Sequence, residues 1–279
     1  MEGTLYVCPT PIGNIKDVSE RVLETLRAAD LVAAEDTRNT GQLLSRYQIK
    51  AELISYHQHN EKERTEQLVQ KLKDGMQIAL VTDAGMPAIS DPGQILVRRC
   101  HEEGVTVTAL PGPCAFVTAL AMSGLDSRRF TFEGFLPVDK KERAAILEDL
   151  REGKRTMIFY EAPHRLRETL RLMADAAGAR PAATVREVSK KFEQVQYMTL
   201  AALAQYYEEQ EPRGEYVIVI EGKSREQLAR DARSRFEDLS LEEHMALYQD
   251  RPEKEAMKAV AKDRGISKRE VYAALKRES

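Results

Sequence analysis

Along the first 110 residues, short runs of Val, Ile, Leu and Ala alternate with longer stretches whose apolar positions recur every three or four residues, the spacing of an amphipathic helix. The runs predict strands over 4–8, 31–34, 53–57, 78–82 and 105–110. The longer stretches predict helices near 19–29, 40–47, 61–73 and 95–100, with Ser19 capping the first and Gly75 stopping the third. Parallel strands need a crossover long enough to hold a helix, so this alternation predicts an α/β domain with a mainly parallel sheet. Ligand groups in such sheets gather at the carboxyl ends of the strands.

After an apolar helix over 116–122 the rhythm changes. Strands over 130–132, 156–160, 184–188, 194–198 and 216–220 are separated by helices near 140–152, 164–177 and 200–210. The polar–apolar alternation of Gln194-Val195-Gln196-Tyr197-Met198 marks a strand with one wet face and predicts a mixed sheet. From Lys223 the strand signal ends. Helices are expected over 241–250 and 253–263, and Ser267-Lys268-Arg269-Glu270 opens a third with a capping-box pattern after the break at Gly265. Ala256, Val260 and Ala261 against Ile266, Val271, Ala274 and Leu275 predict a small helix-turn-helix-like core. The expected domains are therefore 1–113, 114–222 and 223–279.

Composition changes this picture little. The 279 residues are 42% hydrophobic and 31% charged, as in folded chains and unlike disordered ones. The net charge of −3 excludes a polybasic protein, but it divides into −5 over 1–222 and +2 over 223–279, so any attraction for nucleic acid is local. No apolar run reaches the roughly 18–20 residues of a membrane helix. The opening MEGTLYVCPTPIGN lacks the basic and apolar regions of a signal peptide, and Cys8, Cys100 and Cys114 form no C-x-x-C pair. A reduced, cytoplasmic chain with no metal and no membrane partner is expected.

Chemistry concentrates in three strand-end loops rich in Gly and Pro, at 10–14, 82–93 and 110–115. Gly lets a ligand approach the backbone and Pro stiffens the loop, which together suit a preformed pocket. Neither G-x-G-x-x-G nor the Walker A pattern occurs where a strand feeds a helix. The lining of backbone amides, Asp83, Ser90 and small apolar side chains suits a cofactor with an adenine ring, a ribose and a zwitterionic tail.

T-P-I-G-N, A-E-D-T-R, T-D-A-G-M-P-A-I-S-D-P-G, L-P-G-P-C-A, F-E-G-F-L-P, Y-E-A-P-H-R and R-E-V-S-K-K-F-E follow one another in that order. In this the chain resembles the ribosomal RNA small subunit methyltransferase I family, over residues 4 to 222. Cys8 replaces a usually small residue, and V-S-K stands for a more usual L-T-K. The resemblance implies two α/β domains of the tetrapyrrole-methylase type with the cofactor in the interdomain cleft, plus a small C-terminal helical module. It implies S-adenosylmethionine as cofactor, the ribose 2′-hydroxyl of a cytidine in the decoding centre of 16S rRNA in the small ribosomal subunit as methyl acceptor, and a homodimer.

By the same resemblance, cofactor contacts are expected at Pro11, Asp83, Pro87, Ile89, Ser90, Cys114, Ala115, Tyr160, Val185, Arg186, Gly214, Glu215 and Tyr216. Catalytic candidates at the cleft are Glu35, Asp36, Arg38, Glu187 and Lys190, with no single base distinguished from a salt-bridge network. RNA contacts are expected at Arg165, Lys268, Arg269, Lys276 and Arg277, a solvated helix face being the competing reading. His57 and His59, two apart on an expected strand, face one side without a third metal ligand, and His164 is expected to cap or pack. A tetrapyrrole methylase of the same fold and a noncatalytic ribosome assembly factor are the alternatives.

Overall fold

The computed structural model describes residues 3–234, 236 and 238–278, with backbone alone at 225, 229, 232, 233, 277 and 278. The chain forms two compact units, Met1–Arg151 with Thr156–Glu221, and Glu152–Arg155 with Gly222–Ser279.

The first unit holds two five-stranded sheets. β1 (Thr4–Val7), β2 (Leu31–Ala34), β3 (Leu53–Ser55), β4 (Ile78–Val81) and β5 (Thr106–Ala109) lie in the order β3-β2-β4-β1-β5, all parallel. The intervening helices are α1 (Glu20–Ala28), α2 (Thr37–Arg46), α3 (Glu61–Lys73) and α4 (Gln94–Glu102). Every residue of β2 and β4 is buried, which is why these strands read as unbroken apolar runs. Leu68 and Leu72 of α3 and Leu96 of α4 cover one face of the sheet, while Val22, Leu23 and Leu26 of α1 and Leu44 of α2 cover the other.

α5 (Ala115–Ser123) leads to the second sheet, with β6 (Phe130–Phe135), β7 (Thr156–Glu161), β8 (Pro181–Arg186), β9 (Gln194–Thr199) and β10 (Tyr216–Ile220) in the order β6-β7-β10-β8-β9. Only β6 and β7 pair in parallel; β10 is antiparallel to β7 and β8, and β9 to β8. α6 (Lys140–Glu152), α7 (Pro163–Ala177) and α8 (Leu200–Glu209) pack on one face through Leu150, Leu166, Leu170, Leu200 and Leu203. On the other face Ala119 and Leu120 of α5 meet Ile158, Val185, Val217 and Val219, and Ile12 from the loop after β1 joins them.

Two expectations change here. β8 begins at Pro181 and ends at Arg186 rather than spanning 184–188, because Glu187 and Ser189 take left-handed backbone with φ of 54° and 67°. β3 stops at Ser55, so His57 and His59 lie in the turn before α3. They still meet edge to face at 5.8 Å, and among the described residues no cluster of three metal-ligating side chains exists.

The second unit is helical: α9 (Arg225–Ser234), α10 (Leu241–Ala246), α11 (Glu253–Arg264) and α12 (Lys268–Glu278). α9 was not expected, since its polar composition hides its periodicity. Its start nevertheless carries a capping box, Gln227 N–H donating to Ser224 Oγ and Ser224 N–H to Gln227 Oε1. The box expected at Ser267 and Glu270 forms in the same way. Val260, Ala261 and Val271 make the core with Leu241, Met245 and Leu275, whereas Ile266 is exposed.

His244 is buried there. Its Nδ1 accepts from Arg264 Nε at 3.0 Å, and its Nε2 lies 3.3 Å from Asp263 Oδ2. An acceptor Nδ1 requires the neutral ring, and desolvation pushes the His244 pKa down despite Asp263. A folded-state pKa below the unfolded one, ordinarily near 6.5, means that stability is present above that value and is lost as pH falls. The second unit is expected to lose helicity as pH falls below about 6.5, and His244→Gln to remove that pH dependence, as circular dichroism would show.

Candidate active site

The loops at the carboxyl ends of β1 and β4 are joined to each other. Thr10 and Gly85 exchange backbone hydrogen bonds at 2.9 and 3.1 Å, and the Thr10 hydroxyl donates to the Thr82 carbonyl at 2.9 Å. Beyond them, Ala88 and Ser90 adopt left-handed backbone with φ of 68° and 64°, a conformation that side chains other than Gly rarely take and that concentrates at functional sites.

These loops, α5 and the ends of β7 and β10 enclose a cavity of about 500 Å³. From the first sheet it takes Ile12, Gly85, Met86, Ile89, Ser90 and Asp91, and from the second sheet's side Phe135, Tyr160, His164, Val188, Lys190 and Glu215. Its lining is mainly apolar with a few convergent polar groups, as small-molecule sites are.

Of the expected cofactor contacts, Ile89, Ser90, Cys114, Ala115, Tyr160, Glu215 and Tyr216 line this cavity. Pro11 and Asp83 instead line a neighbouring recess of about 250 Å³ with Asn39, Gln42 and Arg46. There Asp83 Oδ2 accepts from Asn39 Nδ2 at 3.0 Å. Pro87, Val185, Arg186 and Gly214 line neither space. Val185 is fully buried in the core beneath α5, and Gly214 lies so close to Glu187 that a Cβ would sit 2.5 Å from Oε1.

Among the catalytic candidates, Lys190 alone reaches the cavity. Its Nζ donates to Glu187 Oε1 at 3.1 Å and to Glu215 Oε2 at 3.2 Å. Partial desolvation pulls the ammonium pKa down, but the bond to Glu187 and the charge of Glu215 outweigh it and the net shift is upward. Lys190 is therefore a fixed cation. Glu187 also accepts from the Glu215 N–H at 3.1 Å, which ties the β8–β9 loop to the start of β10. Against that loop Gly13 (φ 152°) lies so near the Lys190 stem that a Cβ would be 2.2 Å from Cγ, so this contact requires glycine.

The candidates after β2 sit apart. Asp36 caps α2, accepting from the Arg38 N–H at 2.8 Å, and binds the Arg38 guanidinium at 2.7 and 3.1 Å. Hydrogen bonding to Arg38 lowers its carboxyl pKa to about 2, so the pair closes on itself. Glu35 Oε2 accepts from the Asp83 N–H at 3.3 Å.

Asp91 lines the cavity as well, together with the carboxylates of Glu161 and Glu215. Burial, then the charges of Glu35 and Asp83, raise its pKa to about 6. Asp91 is not among the residues expected from the sequence, although it lies between Ser90, an expected contact, and the Pro92-Gly93 turn. His164 is likewise a lining residue, exposed near the start of α7, rather than a cap.

Arg165 is committed to the fold. Its guanidinium donates to the Leu136 carbonyl and lies 3.5 Å from the buried Glu161. On α12, Lys268, Arg269 and Lys276 are accessible in varying degree, with Lys276 Nζ 5.0 Å from the Tyr272 ring; the side chain of Arg277 lies outside the described residues.

A parallel sheet and a mixed sheet meet over one largely apolar cavity. Residues 4–204 match the family described as Tetrapyrrole (Corrin/Porphyrin) Methylases. Among solved structures, diphthine synthase superposes with a TM-score of 0.62 at 14% identity, covering 80% of this chain and 90% of that one. Cobalt precorrin-4 methyltransferase gives 0.57 at 19%, covering 78% and 94%. These likenesses establish the fold. Ribosomal RNA small subunit methyltransferase I of Bacillus subtilis (strain 168) is 43% identical over 98% of this chain and 94% of its own, and that of Haemophilus influenzae is 43% identical over 98% and 96%. The Synechocystis protein of the same name reaches 48% over 80% and 81%. The chain belongs to the ribosomal RNA small subunit methyltransferase I family and is a methyltransferase.

Proposed function

We propose that the protein transfers a methyl group from S-adenosylmethionine to the ribose 2′-hydroxyl of a cytidine in 16S rRNA of the small ribosomal subunit, at the decoding centre. The observation that carries this reading is the identity of 43% along nearly the whole length of relatives named for small-subunit rRNA methylation. The cavity suits the cofactor: about 500 Å³ falls within the usual range for small-molecule sites. Ile12, Met86, Val188 and Val217 offer apolar walls for its rings, and Ser90 and Glu215 offer polar groups at its edges. When bound, S-adenosylmethionine supplies the methyl group on a positively charged sulfur.

Much of the rate in such an in-line displacement comes from holding the acceptor oxygen in place. This chain adds two electrostatic contributions. Lys190, kept protonated by Glu187 and Glu215, holds positive charge that favours loss of the 2′-hydroxyl proton as the oxygen gives its electron pair to the methyl carbon. Asp91, with a carboxyl pKa near 6, is ionised at neutral pH yet basic enough to take the hydroxyl proton. Glu187 positions Lys190. The two sheets act as two lobes about one cofactor site, and the basic residues of α12 dock RNA through phosphate contacts that carry no sequence information.

Incubation with methyl-labelled S-adenosylmethionine, offering unmethylated small subunits and uroporphyrinogen in parallel, tests the substrate class. Label in the RNA alone is expected. Label in the tetrapyrrole, or in neither, contradicts the reading.

A further inference from the structure

β6 carries an irregularity that re-aims one aromatic ring. Phe130 pairs with Thr156 and Phe132 with Ile158, but the register then shifts, so that Gly134 pairs with Phe159 and Phe135 with Tyr160. Glu133 is the extra residue. Side chains alternate along a strand, and in regular pairing residue 134 would oppose Tyr160 while residue 135 pointed to the other face. The bulge instead puts Phe135 on the face of Phe132 and Tyr160. Gly134 enables it with φ of 66°, a backbone region that Gly enters without strain. Bulges beside active sites commonly redirect a side chain in this way.

The ring so redirected lines the cavity and yet remains 50% exposed. It is held from behind: Phe135 meets Tyr160 edge to face at 5.8 Å, Tyr160 meets Phe132 at 4.9 Å, and Phe132 stacks on Phe116 at 4.3 Å. The next residue, Leu136, is buried and its carbonyl is fixed by Arg165. Ile89 shares the cavity wall and is 40% exposed. A rigid, half-exposed aromatic that shares a cavity wall with a second exposed apolar side chain suits a flat, apolar-faced partner. Single-stranded RNA offers one in its bases, which protein aromatics commonly stack against.

We infer that Phe135 is the stacking platform for the base of the nucleotide being methylated, an inference that rests on the proposed RNA reaction. It assigns to the β6 bulge the placing of the acceptor ribose, through its base, over the cavity that holds Lys190 and Asp91.

The test uses the full chain, unmethylated small subunits and S-adenosylmethionine. Phe135→Leu is expected to raise the KM for subunits about ten-fold or more and leave the cofactor Kd, measured by calorimetry, unchanged. Phe135→Trp is expected to keep a KM near that of the parent, which separates lost stacking from misfolding. The chain contains no tryptophan, so the new residue is also the sole tryptophan, and its selectively excited emission is expected to be quenched by protein-free 16S rRNA transcript and not by cofactor alone. An unchanged subunit KM in Phe135→Leu overturns the inference, as does a rise confined to the cofactor Kd, which would place the adenine there instead. If the parent protein labels no RNA, the proposed function itself fails; if it labels RNA normally and Phe135→Leu does too, only this inference fails.

Discussion

Lys190→Met is expected to lower kcat for methyl transfer about 100-fold, the scale on which a preorganised charge acts, here by favouring loss of the hydroxyl proton. The side chain is isosteric over most of its length, so the packing of its stem on Gly13 survives while the charge is removed. Glu187→Gln is expected to cost less, since Glu215 remains to hold the ammonium. Single-turnover rates with saturating cofactor and subunits give the comparison. A Lys190→Met rate equal to that of the parent removes the cation from the chemistry, and a larger loss in Glu187→Gln makes the carboxylate the acting group.

Asp91→Asn is expected to stabilise the protein and disable it together. With its pKa raised to about 6 against an ordinary 3.8, Asp91 binds a proton more readily in the folded state than in the unfolded one. Stability therefore declines as pH rises from about 4 to about 6, and the penalty is complete above that. Asparagine carries no such penalty, so Tm at pH 8 is expected to rise. The parent's kcat/KM should climb with pH through about 6 as the carboxylate ionises, and the variant should lose about 10²–10⁴-fold in rate along with that rising limb. A variant that loses stability contradicts the burial penalty on the Asp91 carboxylate, and one that keeps the same pH profile excludes Asp91 as the proton acceptor.

Much of the architecture was legible because the strands differ in environment. Unbroken apolar runs marked β2 and β4, buried on both faces, and alternation marked β9 with one wet face. Ser19 capped its helix as its type predicts. α9 was missed because its composition is polar throughout, although Ser224 and Gln227 already spelled its start. Within the site, loop composition marked the segments 82–93 and 110–115, and the family resemblance pointed to Ile89, Ser90, Cys114 and Ala115, which line the cavity. Spacing along the chain does not show which charged groups pair with each other. Asp36 and Arg38 satisfy one another away from the cavity, while Lys190 is brought into it by contacts with Glu187 and Glu215, the latter 25 residues away. Phe135 was hidden for a related reason: the register shift that turns it toward the cavity depends on pairing with β7, a property of two segments.

In the proposed function this cavity methylates a ribose oxygen of cytidine. Small subunits lacking the modification, incubated with the purified protein and S-adenosylmethionine and then digested to nucleosides, should yield 2′-O-methylcytidine by mass spectrometry at one residue per 16S rRNA. A methyl group on the base, or none at all, would contradict the account.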